Sequence, residues 1–384
     1  MIEFLELILI FIKKMYKLKL FKSSIIYLLV SFSGLYITKI GLSPIYFFSF
    51  LGFMLFLAFF KNSLKITLSE KLSVTTFLYF LITNIFLNFD PSALIGLLLS
   101  FAVYFVVSNT ITNLNTTPNY NKVINLFFFV TLPLLIAETI IRYAYPIGID
   151  QFVEMGREDI IFYIFKFNSI MFPDSNFTAI LILCIISSFF YLKSINSENK
   201  NRLIFIILYV LLILTLSRAA ILSGILLLLL FKFRDVIYKF RKFILFFSPI
   251  FLLVIISYIT LIEDDSIKVK FQLFDNAKLI LKDINSIDLL FGVGLGNGQI
   301  LFGKGTHNLI LTYLFEGGVI GLLLFFTFMS HLLFKTKYKL GIIIFPFLLA
   351  GMSFSSTSIP FLFAILALFS NYEENRSQYF ITRL

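Results

Sequence analysis

The stretch Gly303–Gly321, GKGTHNLILTYLFEGGVIG, places one of only two histidines in 384 residues at the start of an apolar run. A neutral imidazole can accept a proton from a hydroxyl group near pH 7, so His307 is a candidate general base. The alternative is an incidental polar residue at a helix end. If the run is one helix, Gly318 and Gly321 share a stripe of about 60° with His307. We therefore predict a glycine track below the histidine, with close helix packing as the alternative use of these glycines.

Glu316 adds a carboxylate to the same apolar run, on the opposite face of the helix and roughly 13 Å along it from His307. A carboxylate at membrane depth requires a polar partner or a water-filled cavity. Glycines also recur between positions 292 and 305, just before the histidine. Because glycine allows close approach of the backbone, we predict that this segment forms a loop over a bound ligand.

Arginines form a second group of candidate site residues. Arg218 is flanked by the apolar segments LTLS and AAILSGI, so its guanidinium either reaches up to lipid headgroups or has a function. A guanidinium binds phosphate bidentately, which makes Arg218 a candidate ligand for a diphosphate at the membrane surface. The segment 142–176 adds Arg142 and Arg157 and ends in a Pro-Asp-Ser-Asn turn at Asn176. The alternative is that the charges of this segment pair with one another.

Composition sets the class of protein. The chain is 59% hydrophobic and 14% charged, with a mean hydropathy of +0.96, and apolar runs recur from end to end. We therefore predict an all-α, polytopic membrane helical bundle made of a single domain, residues 1–384. The single Cys184 and the two histidines favour neither a disulfide framework nor a metal site. The net charge of +11 is attributed to basic cytoplasmic loops rather than to nucleic-acid binding.

Hydropathy and charge predict about twelve transmembrane helices. They are centred near residues 24–38, 43–60, 73–88, 91–108, 123–141, 177–192, 203–216, 219–231, 243–262, 308–333, 341–354 and 359–370. The run 203–231 is too long for one span, and its basic flanks predict a hairpin of two short helices with Arg218 at the tip. This topology places both termini in the cytoplasm. It places two long loops, 142–176 and 263–306, on the outer face, the second beginning with an amphipathic helix that rests on the membrane.

Three short motifs resemble those of the O-antigen polymerases and O-antigen ligases of the bacterial cell envelope. The first is His, then Asn, Ser or Gln, nine residues, Gly, two residues and Gly. The second is Arg followed after three residues by Leu, and the third is an outer-loop Arg leading to a Pro-Asp-x-Asn turn. The matching positions are His307, Asn308, Gly318 and Gly321, then Arg218 and Leu222, then Arg157 with the turn 173–176. The paired Arg-x10-Gly motifs of some polymerases are absent from this sequence.

The resemblance implies a metal-independent, cofactor-free membrane glycosyltransferase with a GT-C-like bundle and a polyprenyl diphosphate sugar as donor. In such an enzyme His307 would be the general base. Arg218, with Arg142 or Arg157, would neutralise the departing diphosphate. The expected substrate-binding residues are Arg142, Asn176, Asn308, Glu316, Gly318 and Gly321.

The function favoured by this resemblance is polymerisation of undecaprenyl-diphosphate-linked oligosaccharide repeat units at the periplasmic face of the bacterial inner membrane. A ligase, which transfers the polysaccharide to lipid A core, is one alternative. A lipid-linked oligosaccharide flippase belongs to another class and would be expected to have two related halves, whereas the unusual residues here concentrate in two asymmetric loops. The expected partners are the lipid-linked oligosaccharides, membrane lipids and a chain-length regulator protein, without nucleic acid.

Overall fold

A computed structural model describes the chain over residues 20–38, 43–59, 66–87, 89–113, 118–147, 164–172, 174–195, 202–233, 265–303, 306–354 and 356–372. All the regular secondary structure in these ranges is helical. The α-helices are α1 (Leu20–Ser31), α2 (Pro44–Phe59), α3 (Leu68–Phe86), α4 (Pro91–Thr112), α5 (Tyr120–Ala144), α6 (Ile164–Phe167), α7 (Ser175–Ile195), α8 (Arg202–Leu214), α9 (Arg218–Lys232), α10 (Asp265–Asp283), α11 (Ser286–Phe291), α12 (Gly298–Phe302), α13 (Leu309–Lys335), α14 (Gly341–Ala350) and α15 (Pro360–Ser370). A 3-10 turn, Gly351–Ser353, follows α14.

The predicted all-α membrane class agrees with these helices. Within the described ranges, the helices α4, α5, α7 and α13 are long and apolar enough to cross a membrane. Each predicted apolar run contains a helix except 243–262, which lies outside the described residues. The number of spans, the GT-C-like architecture and the orientation in the membrane stay predictions.

The helices α7 and α15 form the centre of the bundle. Every residue of α15, PFLFAILALFS, is buried, as expected for a helix that is apolar on all sides. The ring of Phe363 stacks on that of Phe328 with a centroid distance of 5.7 Å, and it meets the ring of Phe101 edge-on at 4.7 Å. These aromatic pairs join α15 to α13 and α4, so the helix that follows His307 is anchored in the core.

Polar residues at helix starts set several of the boundaries. Thr67 and Glu70 form a reciprocal capping box at the start of α3. Asp90 caps α4, with Pro91 in the first turn, and Asn119 caps α5. Such caps satisfy backbone amides that helix geometry leaves without a partner, so these boundaries follow directly from local sequence.

The run 203–231 is a helical hairpin, as predicted. Its helices α8 and α9 are joined by a turn at 215–217. Tyr209 Oη donates to the carbonyl oxygen of Gly224 at 2.9 Å, and a Cβ added at Gly224 would lie 2.8 Å from a leucine side chain of α8. The glycine therefore allows the two helices to pack closely, and Arg218 begins α9 at the tip of the hairpin.

Four loops meet at one end of the bundle, which we call the loop end. They are the segments 164–172, 215–217, 292–303 with 306–308, and 351–354. Ser175 Oγ, at the start of α7, donates to the carbonyl oxygen of Thr215 at 2.7 Å. The rings of Phe177 and Phe354 are 4.3 Å apart. The turn Gly351–Ser353 packs against both α9 and α13, so the hairpin tip and the start of α13 belong to the same end of the molecule.

Candidate functional site

His307 lies at the mouth of α13, at the loop end. Asn308 is the N-cap of this helix, and its Oδ1 accepts the amide hydrogens of Ile310 at 2.9 Å and Leu311 at 3.2 Å. The predicted helix-mouth position of the histidine is confirmed. Its φ of 42° is left-handed, a conformation that costs a non-glycine residue roughly 1–3 kcal/mol and needs support from its surroundings. The sequence did not indicate this reversed backbone.

A small crevice lies beside the half-buried side chain of His307. Its volume is about 40 Å³, room for on the order of three water molecules. It is lined by Leu273, Phe274, His307, Asn308, Leu311 and Met352. Apart from the histidine and the asparagine, these side chains are apolar. The crevice can therefore hold one substituent of a sugar ring, and the ring itself would lie across its mouth.

Helix α10 forms one wall of this crevice. The predicted amphipathic helix is present, and part of its apolar surface packs against α13, while Phe271 and Leu279 are exposed. That it rests on the membrane stays a prediction. Leu273 and Ala277 of this surface contact a cluster that includes Leu311 and Phe315. Phe274, on another face of α10, is exposed beside the crevice. The apolar side chains of α13 thus bury Leu273 and Ala277.

The helix that begins after His307 is interrupted, which corrects the predicted continuous glycine track. Gly318 has φ 67° and ψ −180°, values that lie outside the helical region. The preceding loop packs its backbone into the interruption, where the amide of Val293 donates to the carbonyl oxygen of Phe315 at 2.8 Å. A Cβ added at Gly318 would lie 2.2 Å from the carbonyl oxygen of Leu290, so only glycine fits there.

The glycines around the interruption are buried by helix α3. Tyr79 Oη donates to the carbonyl oxygen of Gly317 at 2.7 Å. A Cβ added at Gly321 would lie 3.0 Å from the ring of Phe80. Close packing, the alternative stated from the sequence, therefore describes these glycines. Substrate binding by Gly318 and Gly321 stays a prediction.

Glu316 holds the glycine-rich loop against the interrupted helix. Its carboxylate is buried, and it accepts the amide hydrogens of Gly296 at 3.0 Å and Gly298 at 3.3 Å. Hydrogen bonds from backbone amides to an ionised group are stronger than those between neutral groups and stabilise a buried carboxylate. The polar partner expected for Glu316 is therefore the backbone of this loop. The predicted contact of the loop with a ligand is not tested by these bonds.

Asn84 in the last turn of α3 and Asp90 before α4 also hold this loop, and the sequence analysis missed both. Asn84 Oδ1 accepts the amide hydrogen of Leu295 at 2.9 Å, and the amide of Asp90 donates to the carbonyl oxygen of Leu295 at 2.8 Å. Asn84 is fully buried. Its signal in the sequence is a lone amide in the apolar run FLITNIFL, because a buried amide requires hydrogen-bond partners.

Arg142 is buried in an internal network. Its Nε lies 3.2 Å from Oε1 of Glu138, an ion pair without hydrogen-bond geometry, and both side chains are 0% exposed. Its Nη1 donates to the carbonyl oxygen of Phe165 at 3.0 Å, and its Nη2 donates to that of Leu214 at 3.3 Å. Arg142 therefore ties two segments of the loop end to α5. Its partner Glu138 lies outside the segment 142–176, so the stated alternative, pairing of the charges within that segment, does not describe this arginine.

Glu138 completes the network, although the sequence analysis did not single it out. Its carboxylate accepts hydrogen bonds from Ser169 Oγ at 2.7 Å, the Ile170 amide at 2.7 Å and the Met171 amide at 3.2 Å. The available signal was the spacing of four residues between Glu138 and Arg142, which places them on one face of a helix. This pair positions the loop that leads to α7.

The other predicted site residues are spread over the loop end. Arg218 is exposed in the first turn of α9. Asn176 is half-buried in the first turn of α7. Its backbone amide donates to Asp174 Oδ1 at 2.8 Å, so the end of the predicted turn leads directly into a helix. Arg157 lies outside the described residues. Where the chain is described, no group of three or more His, Cys, Asp or Glu side chains could hold a metal ion.

The structure brings some of these residues to one end of the bundle and separates others. The turn after α14 contributes Met352 to the crevice of His307 and also packs against α9, which begins at Arg218. Arg142 and Glu316 belong to two separate buried networks, each engaged with loop backbone. At the loop end the side chain of His307 is half-buried beside the crevice, and Arg218 is exposed.

Comparison with known proteins adds no assignment to this site. No protein-family model, no curated protein and no solved structure matches the chain. The resemblance to the O-antigen polymerases and ligases therefore depends on the motif residues alone, and the function is argued from the geometry of the site.

Proposed function

We propose that this chain is a membrane-embedded glycosyltransferase that joins undecaprenyl-diphosphate-linked oligosaccharide repeat units, as an O-antigen polymerase does. The observation that carries the proposal is the place of His307. Its imidazole lies half-buried beside an open crevice, at the same end of the bundle as the exposed Arg218. A proton acceptor and a phosphate-binding cation are the two groups that glycosyl transfer from a diphosphate requires.

In the proposed reaction, the imidazole of His307 accepts the proton of an acceptor hydroxyl while the hydroxyl oxygen attacks the anomeric carbon of the donor. The bond from that carbon to the diphosphate oxygen breaks, and the diphosphate leaves with the bonding electrons. The imidazolium then releases its proton to solvent. The apolar walls of the crevice orient one substituent of the acceptor sugar against the imidazole.

Arg218 is proposed to bind the leaving diphosphate. Its guanidinium can contact two phosphate oxygens at once, and the amino-terminal end of α9 adds partial positive charge at the same point. Arg157 is assigned to the same task on the family resemblance. These cations take the role that a divalent metal has in other glycosyltransferases.

In this proposal Arg142 supports the site without contacting the diphosphate. Direct contact with a diphosphate would remove the guanidinium from Glu138 and leave a buried carboxylate without its cation, which is costly. Its bond to the carbonyl oxygen of Leu214 instead holds the hairpin tip next to Arg218. We therefore propose that Arg142 fixes the position of Arg218.

The proposal places the loop end in the periplasm and the bundle in the inner membrane. Membrane lipids and a chain-length regulator are proposed partners. A ligase remains an alternative because it uses the same donor, and a flippase remains one because it uses the same lipid-linked oligosaccharide.

The test uses the purified full-length protein with undecaprenyl-diphosphate-linked repeat units as both donor and acceptor, a metal chelator and no ATP. A polymerase makes long chains, a ligase forms product only after addition of lipid A core, and a flippase forms no glycosidic bond. His307→Ala is expected to reduce chain extension to a small residual rate. His331→Ala, near the other end of α13, is the matched control and should retain it. Long chains made by His307→Ala would show that this histidine is not the general base.

A further inference from the structure

One hydroxyl group in α13 fastens the residues on both sides of His307. Thr312 Oγ1 donates to the carbonyl oxygen of Asn308 at 2.9 Å and lies 2.5 Å from Oγ1 of Thr306. Either hydroxyl can donate in the contact between Thr306 and Thr312. While the single hydroxyl hydrogen of Thr312 is directed to Asn308, the donor of this second bond is Thr306. Thr306, Asn308 and Thr312 are all buried, so water does not compete for these hydrogen bonds.

The first of these bonds is common in helices, and the second is not. Threonine hydroxyls often donate to the carbonyl four residues earlier, as Thr110 does to Val106 at 2.7 Å. Thr312 also accepts a bond from a residue before the helix, across the left-handed backbone of His307. Its hydroxyl therefore closes a ring of hydrogen bonds around a residue whose φ is reversed.

We propose that Thr312 is a positioning residue for His307. With Thr306 and Asn308 both held, the backbone between them keeps its φ of 42°, and the imidazole stays beside the crevice. This inference rests on the proposed function, in which His307 is the general base. Thr312 does not contact the substrate. It acts by keeping the imidazole where an acceptor hydroxyl can reach it.

Two substitutions distinguish the effect of the Thr312 hydroxyl from the effect of side-chain volume. Thr312→Val is expected to lower kcat of chain extension roughly 10- to 100-fold with KM changed less than about threefold, because a displacement of 1 Å can cost a catalytic group that much. Thr312→Ser keeps the hydroxyl and should restore most of the rate. Thr110→Val removes an equally buried helical hydroxyl at the other end of the bundle and should leave the rate unchanged.

A combination with His307→Ala shows whether Thr312 acts through the histidine. In the His307→Ala background, Thr312→Val should cause no further loss of the residual rate, because the group that it positions is gone. An equal loss in both backgrounds would mean that Thr312 merely stabilises α13, and the inference would be overturned.

The reactivity of the imidazole gives a second readout that does not need enzyme activity. In an untagged His331→Gln protein, His307 is the only histidine, so modification by diethyl pyrocarbonate reports on it alone. Thr312→Val should change the modification rate, whereas Thr312→Ser and Thr110→Val should not. If Thr312→Val does not fold, Thr306→Val removes only the second bond and is measured in the same way.

These readouts distinguish the inference from the function on which it rests. A wild-type protein that forms no glycosidic bond would overturn the proposed function, while an altered modification rate in Thr312→Val would still support the positioning of His307. An active enzyme whose rate and imidazole reactivity are both insensitive to Thr312→Val would overturn the inference alone.

Discussion

Two buried carboxylates hold loops at the same end of the bundle, and they are stabilised in different ways. Glu138 lies beside the guanidinium of Arg142 and accepts hydrogen bonds from the segment 169–171. Glu316 accepts hydrogen bonds from two backbone amides of the glycine-rich loop, and among the described residues no ion pair joins it to a cation. The first carboxylate is balanced by a full charge, and the second is held by amide dipoles.

Most of the reversed backbone at the loop end lies near Glu316. His307 and several glycines have positive φ there, and Gly318 interrupts α13. Among the described residues near Glu138, Leu216 at the hairpin tip is the residue with a positive φ. Strained conformations persist only where the surrounding structure holds them, and they cluster at functional sites. We infer that the Glu138 network supports the fold and holds the hairpin tip that carries Arg218, and that the reversed backbone near Glu316 supports the proposed site of His307.

The strongest test of this difference is Glu138→Gln. It is expected to lower the free energy of unfolding by about 3–5 kcal/mol, because the charge of Arg142 stays buried without its partner. Thermal unfolding in detergent, followed by circular dichroism, measures the loss. The double variant Glu138→Gln/Arg142→Met should lose less than the sum of the two single variants. A Glu138→Gln protein as stable as the wild type would show that the pair does not support the fold.

Gly318→Ala tests the interruption of α13. The expected loss of unfolding free energy is roughly 3 kcal/mol, from the left-handed backbone together with the clash of a Cβ with Leu290. Gly303→Ala is a control for positive φ alone, because Gly303 has a φ of 66° but a ψ of −3°, in the left-handed helical region, and no atom within 4 Å of an added Cβ. It should lose about 1 kcal/mol. Equal losses in the two variants would mean that the packed loop contributes nothing.

Glu316→Gln tests the carboxylate that accepts hydrogen bonds from backbone amides of the glycine-rich loop. It should cost about 1–2 kcal/mol, less than Glu138→Gln, because the amide oxygen can still accept a bond and no described cation is left without a partner. Hydrogen exchange at Gly296 and Gly298 should become faster. Glu138→Gln is the control and should leave exchange at these two amides unchanged. Faster exchange there in both variants would show that the two networks are coupled.

The smallest effect on stability is expected for Arg218→Lys. Arg218 is exposed, so unfolding free energy should change by less than about 0.5 kcal/mol. Chain extension should nevertheless be mostly lost, because an ammonium group lacks the planar fork that binds phosphate. Arg202→Lys, also exposed at the start of a helix, should keep full activity. Full activity in Arg218→Lys would show that this residue does not bind the diphosphate through a planar guanidinium.

The sequence by itself determined the helical class, the hairpin and the place of the histidine. In hydrocarbon every backbone amide and carbonyl needs a partner within the chain, so apolar runs of this length predict helices. Basic flanks predicted the hairpin at 203–231, and the capping preference of Asn308 agrees with a helix that begins directly after His307. Each of these inferences depends on residues that are close together along the chain.

Only the tertiary structure decided how the site is supported. The break at Gly318 exists because the backbone of a loop packs into α13. Arg142 is buried because α6 and the end of α8 place their carbonyl oxygens around its guanidinium. The bond from Thr306 to Thr312 likewise requires the reversed backbone at His307. Helical periodicity specifies which residues share a face, but it does not specify which distant segment covers that face, because that contact depends on the packing of the whole bundle.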